Sequence, residues 1–294
     1  KAMLLESAGQ ERLRLKALRM RAGIQDRGAE QFLYEEIMAS LGFKHNSSPF
    51  RQLASIMPLN TLKEECDNDP LNACALLLGV SGLLPAKVSR NWDDETRMFV
   101  RKLWDQWWKQ HSKWETRRMS PVVWRLSGLR PQNNPMRRIA AAAELFSPAN
   151  ALTKRLLQIS PKNPGSWYSK IEGLFHPSKS LRYWNHRLSL SGKPQKSDIA
   201  MVGHDRIAAI ASNVLIPFLA AEGLNVQPLL KEMPPEQDNA LIRQTAFAIF
   251  GRDHNPSLYR HGLKQQGLLQ IFHDFCLNNR TACADCKLAL ALQQ

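Results

Sequence analysis

The sequence predicts a mostly α-helical protein. Three observations predict it: apolar residues recur at three- and four-residue spacing along most of the chain, strand-type alternation is nearly absent, and Gly and Pro stand where helices should stop and start. The expected architecture is an irregular multi-helix domain with long loops, with two packed helical halves as its variant. The halves would be 1–160 and 199–294, joined by an irregular connection over 161–198.

The elements follow in chain order. Residues 2–22 form a basic amphipathic pattern with Leu4, Leu5, Leu13, Leu15 and Leu18, broken near Gly23 and Gly28. A second helix is expected from Gln31 to Leu41, with Phe32, Leu33, Ile37 and Leu41 on one face and Gly42 at the C-cap. A loop through His45, Asn46 and Pro49 should lead to a short helix from Phe50, stopped before Pro58. Asp69-Pro70 reads as a helix start with Pro at the first position, running into the apolar stretch Ala73–Leu78. Asp93–Trp114 is a long helix, since Phe99, Val100, Leu103, Trp104 and Trp107 share one face. Helices over 139–146 and 149–158 are separated by Ser147-Pro148. Residues 161–194 are rich in Pro, Ser, Gly and aromatics and read as a surface excursion with short helices at most. Helical pattern returns over 199–222, 238–250 and 258–276.

Length and composition set the class. A chain of 294 residues, 44% hydrophobic and 22% charged, can bury a full core and does not have the composition of a disordered chain. No apolar run approaches the ~20 residues that span a bilayer, so no membrane partner is expected. The cysteines, odd in number and unevenly placed, do not form a secreted disulfide framework. Lys1 opens into a charged helical pattern and not into a signal peptide. A cytoplasmic location is the expectation, and the chain reads as part of a longer bacterial protein. The unusual feature is charge: Lys and Arg exceed Asp and Glu by 14, with a pI near 9.8. Such a field attracts polyanions, nucleic acid first among them; an acidic protein or an upstream domain of the same parent is the other kind of partner.

The excess charge is concentrated in the middle. Residues 97–138 hold eleven cations against Asp105 and Glu115 alone, and six of the eight Trp residues lie between Trp92 and Trp124. Cations there, Lys113, Arg117 and Arg118 among them, could neutralise phosphates, while an exposed Trp could stack on an unpaired base. Trp104 and Trp107 share a face with Val100 and Leu103 and are expected in the core; Trp108 and Trp114 are open. The sharpest local feature is the Pro-bounded loop Leu129–Pro135, which runs into a helix starting near Met136. Arg130, Asn133, Arg137 and Arg138 would there surround free backbone N–H groups, a phosphate or carboxylate site. The competing reading has Arg130 and Asn133 tying the loop to backbone carbonyls.

The chain ends in Cys276, Cys283 and Cys286, spaced C-x6-C-x2-C, with His273 three residues before the first. His273 and Cys276 would share a helical face, and three thiolates with one imidazole would complete a tetrahedral zinc site. An iron–sulfur cluster and the absence of any metal are the alternatives. The cysteine spacing resembles the tail of the helix-hairpin-helix DNA glycosylases, in which four cysteines hold a [4Fe–4S] cluster. The fourth cysteine is missing here. Val202-Gly203-His204-Asp205-Arg206-Ile207-Ala208, followed by Asn213, also resembles the hairpin with which those enzymes hold a DNA phosphate. The Asp that their catalysis needs downstream is absent from 215–237.

A broader resemblance spans nearly the whole chain. It rests on Gln31–Glu36 with Leu41-Gly42-Phe43 and Asn46–Phe50, on Leu129–Pro131 through Arg138-Ile139-Ala140, on Gly203 through Asn213–Phe218, and on the terminal cysteines. In these the chain resembles an uncharacterised bacterial family of unknown function. Longer members of that family carry an upstream portion resembling a nuclease metal site, so part of a DNA-processing enzyme is a further reading. Within the 294 residues no nucleotide-binding loop, nucleophile elbow or zinc-protease motif occurs, and no catalytic residue is assigned. Glu35, Glu36 and His45 are the nearest to an acid–base set, and a helix-surface ion pair explains them as well. The leading expectation is a nucleic-acid-binding or accessory helical domain; the alternative is an architectural or partner-binding one.

Overall fold

A computed structural model describes residues 1–148, 150–175, 181–236, 239–277, 286 and 288. Every regular element among the described residues is helical, as the sequence predicts. No described helix is long and apolar enough to cross a membrane. The chain divides into two compact units that interleave in sequence. One comprises 1–25, 159–169 and 205–294; the other comprises 26–158 and 170–204.

The unit built on 26–158 and 170–204 has a buried central helix. Helices α1 (Ala2–Arg27) and α2 (Ala29–Leu41) are separated by Gly28, whose φ of 81° the α1 backbone cannot continue through. α3 (Phe43–Ile56) starts directly after Gly42, so residues 43–49 are helical and not the loop the sequence suggested. Pro49 lies inside it, and the buried Asn46 side chain is tied to the backbone of Arg125 by bonds of 2.8 and 3.0 Å. These long-range bonds, invisible in local sequence, hold a proline-containing helix together. α4 (Leu59–Glu65) leads to α5 (Pro70–Val80), which starts as expected with Asp69 accepting from Leu71 N–H at 2.8 Å. Every residue of α5 from Ala73 to Val80 is buried. Around it pack α6 (Asp94–Trp114) and α7 (Pro135–Leu145). Aromatic contacts close this core: Tyr34 meets Phe146 edge-on at 4.7 Å, and Phe99 stacks on Tyr183 at 4.1 Å.

α8 (Leu152–Gln158) is followed by α9 (Pro164–Leu174), an eleven-residue helix inside the stretch expected to be irregular, and by the single turn α10 (Tyr183–His186). In the other unit α11 (His204–Ile210) and α12 (Ile216–Ala221) are joined through a π-helical turn, Ala211–Leu215. α13 (Gln227–Lys231), α14 (Ala240–Phe250) and α15 (Gly262–Ile271) follow, and α15 runs on into a second π turn, Phe272–Cys276. Leu5 of α1, Ile242, Ala246 and Ile249 of α14, and Leu268 and Ile271 of α15 form the core of this unit. α1 and α15 approach closely at two glycines. A Cβ on Gly9 would lie 2.2 Å from the Leu263 carbonyl oxygen, and one on Gly267 would lie 2.0 Å from that of Leu5.

Candidate nucleic-acid interface

The phase of α6 decides what this basic helix shows to solvent. Asp93 caps it by accepting from Thr96 N–H at 2.9 Å, and Asp94 and Glu95 occupy the first turn, where the helix dipole favours carboxylates. Thr96, Phe99, Val100, Leu103, Trp107 and Trp114 face inward and are buried. Trp107 packs directly over Gly79 of α5. One residue on is a rotation of ~100° about the helix axis, and Trp108 therefore points outward, 62% exposed, with the His111 ring at 4.4 Å.

The same outward surface carries Arg101, Lys102 and Lys109, all exposed. Asp105 is the carboxylate among them. Among the described residues neither Arg101 nor Lys102 has an ion-pair partner, and Lys109 bonds the Gln106 amide at 2.8 Å. Arg117 and Arg118, just beyond the helix, are also exposed; the Arg117 guanidinium sits 5.7 Å from the Trp114 ring centroid. Lys113 is exposed and bonded to Glu65. Trp104 is half-buried and donates its indole N–H to the Pro85 carbonyl at 2.8 Å, so it is fixed and not free to stack.

The cluster expected around the start of α7 divides. Arg130 is exposed, at the edge of a 3-10 turn over Pro131–Asn133. Asn133 is half-buried and accepts from Arg138 at 3.0 Å, and Asn134 caps α7 by accepting from Met136 N–H at 2.9 Å. Arg137 and Arg138 are buried, 1% and 4% exposed. The Arg137 guanidinium donates to the carbonyls of Trp184, Arg187, Ile199, Ala200 and Met201 at 2.9–3.3 Å, and Arg138 reaches the Met201 carbonyl at 2.8 Å. Desolvation pushes the Arg137 pKa down to about 10. These two arginines are therefore spent on binding an irregular segment of their own unit, which places them outside the exposed set. Glu36, named with Glu35 as an acid–base candidate, is buried and paired with Arg51 at 2.9 Å.

At the chain end, His273 and Cys276 lie on the second π turn, and His273 Nδ1 is 3.1 Å from Asp274 Oδ1. Cys276 and Cys286 are half-buried and not in disulfides. Cys283 lies outside the described residues. Among the described residues no group of three or more His, Cys, Asp or Glu side chains converges as a metal site. Cys66 and Cys74 are buried small side chains, and burial pushes both thiols up.

Residues 1–233 match the model of a family described as Protein of unknown function (DUF2851). The chain belongs to this family. No curated protein and no solved structure matches it. The DUF2851 match contains all of α6 and the exposed cations after it, while the terminal cysteines fall beyond its end.

Within this member of DUF2851, Arg101, Lys102, Lys109 and Trp108 are the residues that charge counting alone does not single out. The signal that finds them is helical phase: Arg101 and Trp108 stand opposite the Phe99–Leu103–Trp107 stripe, and Lys102 and Lys109 fall on its exposed flank.

Proposed function

We propose that this protein binds nucleic acid through the exposed face of α6 and the arginines that follow it. One observation carries the reading: Trp108 stands 62% exposed among Arg101, Lys102 and Lys109, a large apolar ring held open where cations gather. Cations meet phosphates without regard to sequence, and the indole supplies a stacking surface for a base that is unpaired. Single-stranded nucleic acid suits this pairing best, because a duplex keeps its bases stacked on each other. The protein is then a binding or accessory domain, and no residue in it is assigned to catalysis. Fluorescence anisotropy of a labelled single-stranded oligonucleotide tests the reading. Trp108→Ala should weaken binding by ~1–3 kcal/mol, the usual worth of one stacked base, while leaving the thermal midpoint in place. Equal affinity in the folded variant would remove the stacking role.

A second reading, an acidic protein partner, is favoured by apolar side chains in the same region. Val122 is 87% exposed, and Met98 and Leu126 are 56% exposed each. Substituting Val122 and Leu126 with Ser separates the two: nucleic-acid affinity should hold, whereas an apolar protein interface would be lost.

A further inference from the structure

A separate basic cleft lies within the unit that contains α1 and α15. It is lined by Arg12, Leu15, Lys16 and Arg19 of α1 and by Gln270 and His273 from α15 and its π turn, and it offers about 200 Å³ of space that is largely open to solvent. Arg12, Lys16 and Arg19 are spaced i, i+4, i+7, so they line up along one face of α1 over about 10 Å of axis.

Two of these cations are positioned by neutral amides. Arg12 Nε donates to Gln266 Oε1 at 2.9 Å, and Lys16 Nζ donates to Asn213 Oδ1 at 2.5 Å. Both amides are themselves oriented by Glu236, whose Oε1 accepts from Asn213 at 2.7 Å and from Gln266 at 2.8 Å. Gln270 is held by the Asp274 carboxylate at 2.9 Å. Partial burial lowers the pKa of Arg12 against the opposing pull of Glu236 and Asp274, so an incoming anion would restore solvation that the guanidinium has lost. Neither Glu236 nor Asp274 is among the residues that line the cleft.

The backbone adds an independent pointer. Asn213 lies on the π turn Ala211–Leu215, and His273 lies on the π turn Phe272–Cys276. Such turns are rare and gather at functional sites, because the inserted residue re-aims a side chain. Here one turn delivers an amide to Lys16 and the other delivers a lining residue.

We propose that this cleft binds a phosphate group, as free phosphate or as a terminal phosphomonoester. Three aligned cations suit a compact dianion. The three cations carry the site whether or not His273 also holds a metal. It is independent of the α6 surface, and Trp108→Ala should leave it intact.

Calorimetric titration of the full chain with inorganic phosphate, at constant ionic strength, tests the proposal. Saturable binding of one phosphate per chain is expected, weakened at least tenfold by Arg19→Gln, which removes an exposed lining residue. Arg14→Gln, which removes an exposed arginine paired to Glu11 outside the cleft, should bind as the parent does. A 5′-phosphorylated dinucleotide binding more tightly than inorganic phosphate assigns the site to a nucleic-acid end; the reverse order assigns it to free phosphate. No saturable binding, equal affinity in Arg19→Gln, or equal binding of the 5′-hydroxyl dinucleotide would overturn it.

Discussion

The indole of Trp107 occupies the space above Gly79, where an added Cβ would come within 2.1 Å of the ring. This contact locks the rotation of α6 against α5. It is the reason that Trp107 is buried and its neighbour Trp108 is not. Gly79→Ala should therefore lower stability by ~1–3 kcal/mol through overpacking, read as a reduced urea midpoint. An unchanged midpoint would mean that the ring shifts freely and that the phase of α6 is set elsewhere.

Arg137 should behave as a structural residue. Arg137→Met leaves the carbonyls of Trp184, Arg187, Ile199 and Ala200 without this donor, while the Met201 carbonyl keeps its bond from Arg138. Buried hydrogen bonds to a charged group are worth ~1.5–3 kcal/mol each, so a loss of at least ~3 kcal/mol in total is expected from chemical denaturation. Arg130→Ala, at an exposed position, should stay within ~0.5 kcal/mol of the parent.

Glu144 gives the fold a pH dependence. It is 3% exposed in α7, its Oε1 accepts from Leu181 N–H at 2.8 Å, and its Oε2 is buried without a partner. Desolvation raises its pKa to about 7, against the lowering effect of the Leu181 bond. The native state then holds a proton that the unfolded chain releases near its ordinary value of 4.5. The contribution is complete below that value and is lost as pH rises towards 7, by about 3 kcal/mol at most. Glu144→Gln keeps an acceptor for Leu181 and should flatten this slope in urea midpoints measured between pH 4.5 and 8. A slope unchanged by the substitution would assign it to other groups.

The tail spacing of His273, Cys276, Cys283 and Cys286 is proposed to hold one zinc ion. Elemental mass spectrometry of protein purified without a polyhistidine tag should find about one zinc per chain, lost in Cys276→Ser. Iron with a broad visible band would assign a cluster instead. A metal-free protein would leave the cysteines as thiols.

Much of the fold was legible because the signals were local. Asp69-Pro70 and Asp93 mark the starts of α5 and α6, and the apolar run Ala73–Leu78 marks the buried helix. The misread segment 43–49 was polar and contained Pro49, and its helicity rests on Asn46 bonding the distant backbone of Arg125. The interleaving of the units was hidden for the same reason, since Gly9 meets Leu263 across a separation that no periodicity reports. Arg101 and Arg137 look alike in sequence. What separates them is a set of carbonyls between 184 and 201 that needs donors, and only the tertiary structure supplies that fact.

The most direct measurement is the salt dependence of oligonucleotide affinity, in the parent and in a variant with Arg101, Lys102 and Lys109 changed to Gln. Four or five of the exposed cations on and after α6 engaging phosphates would give a slope of about −3 in log K against log salt. The variant should lose about two units of that slope while keeping its fold. A parent affinity insensitive to salt, or the same slope in both proteins, would contradict nucleic-acid binding through α6.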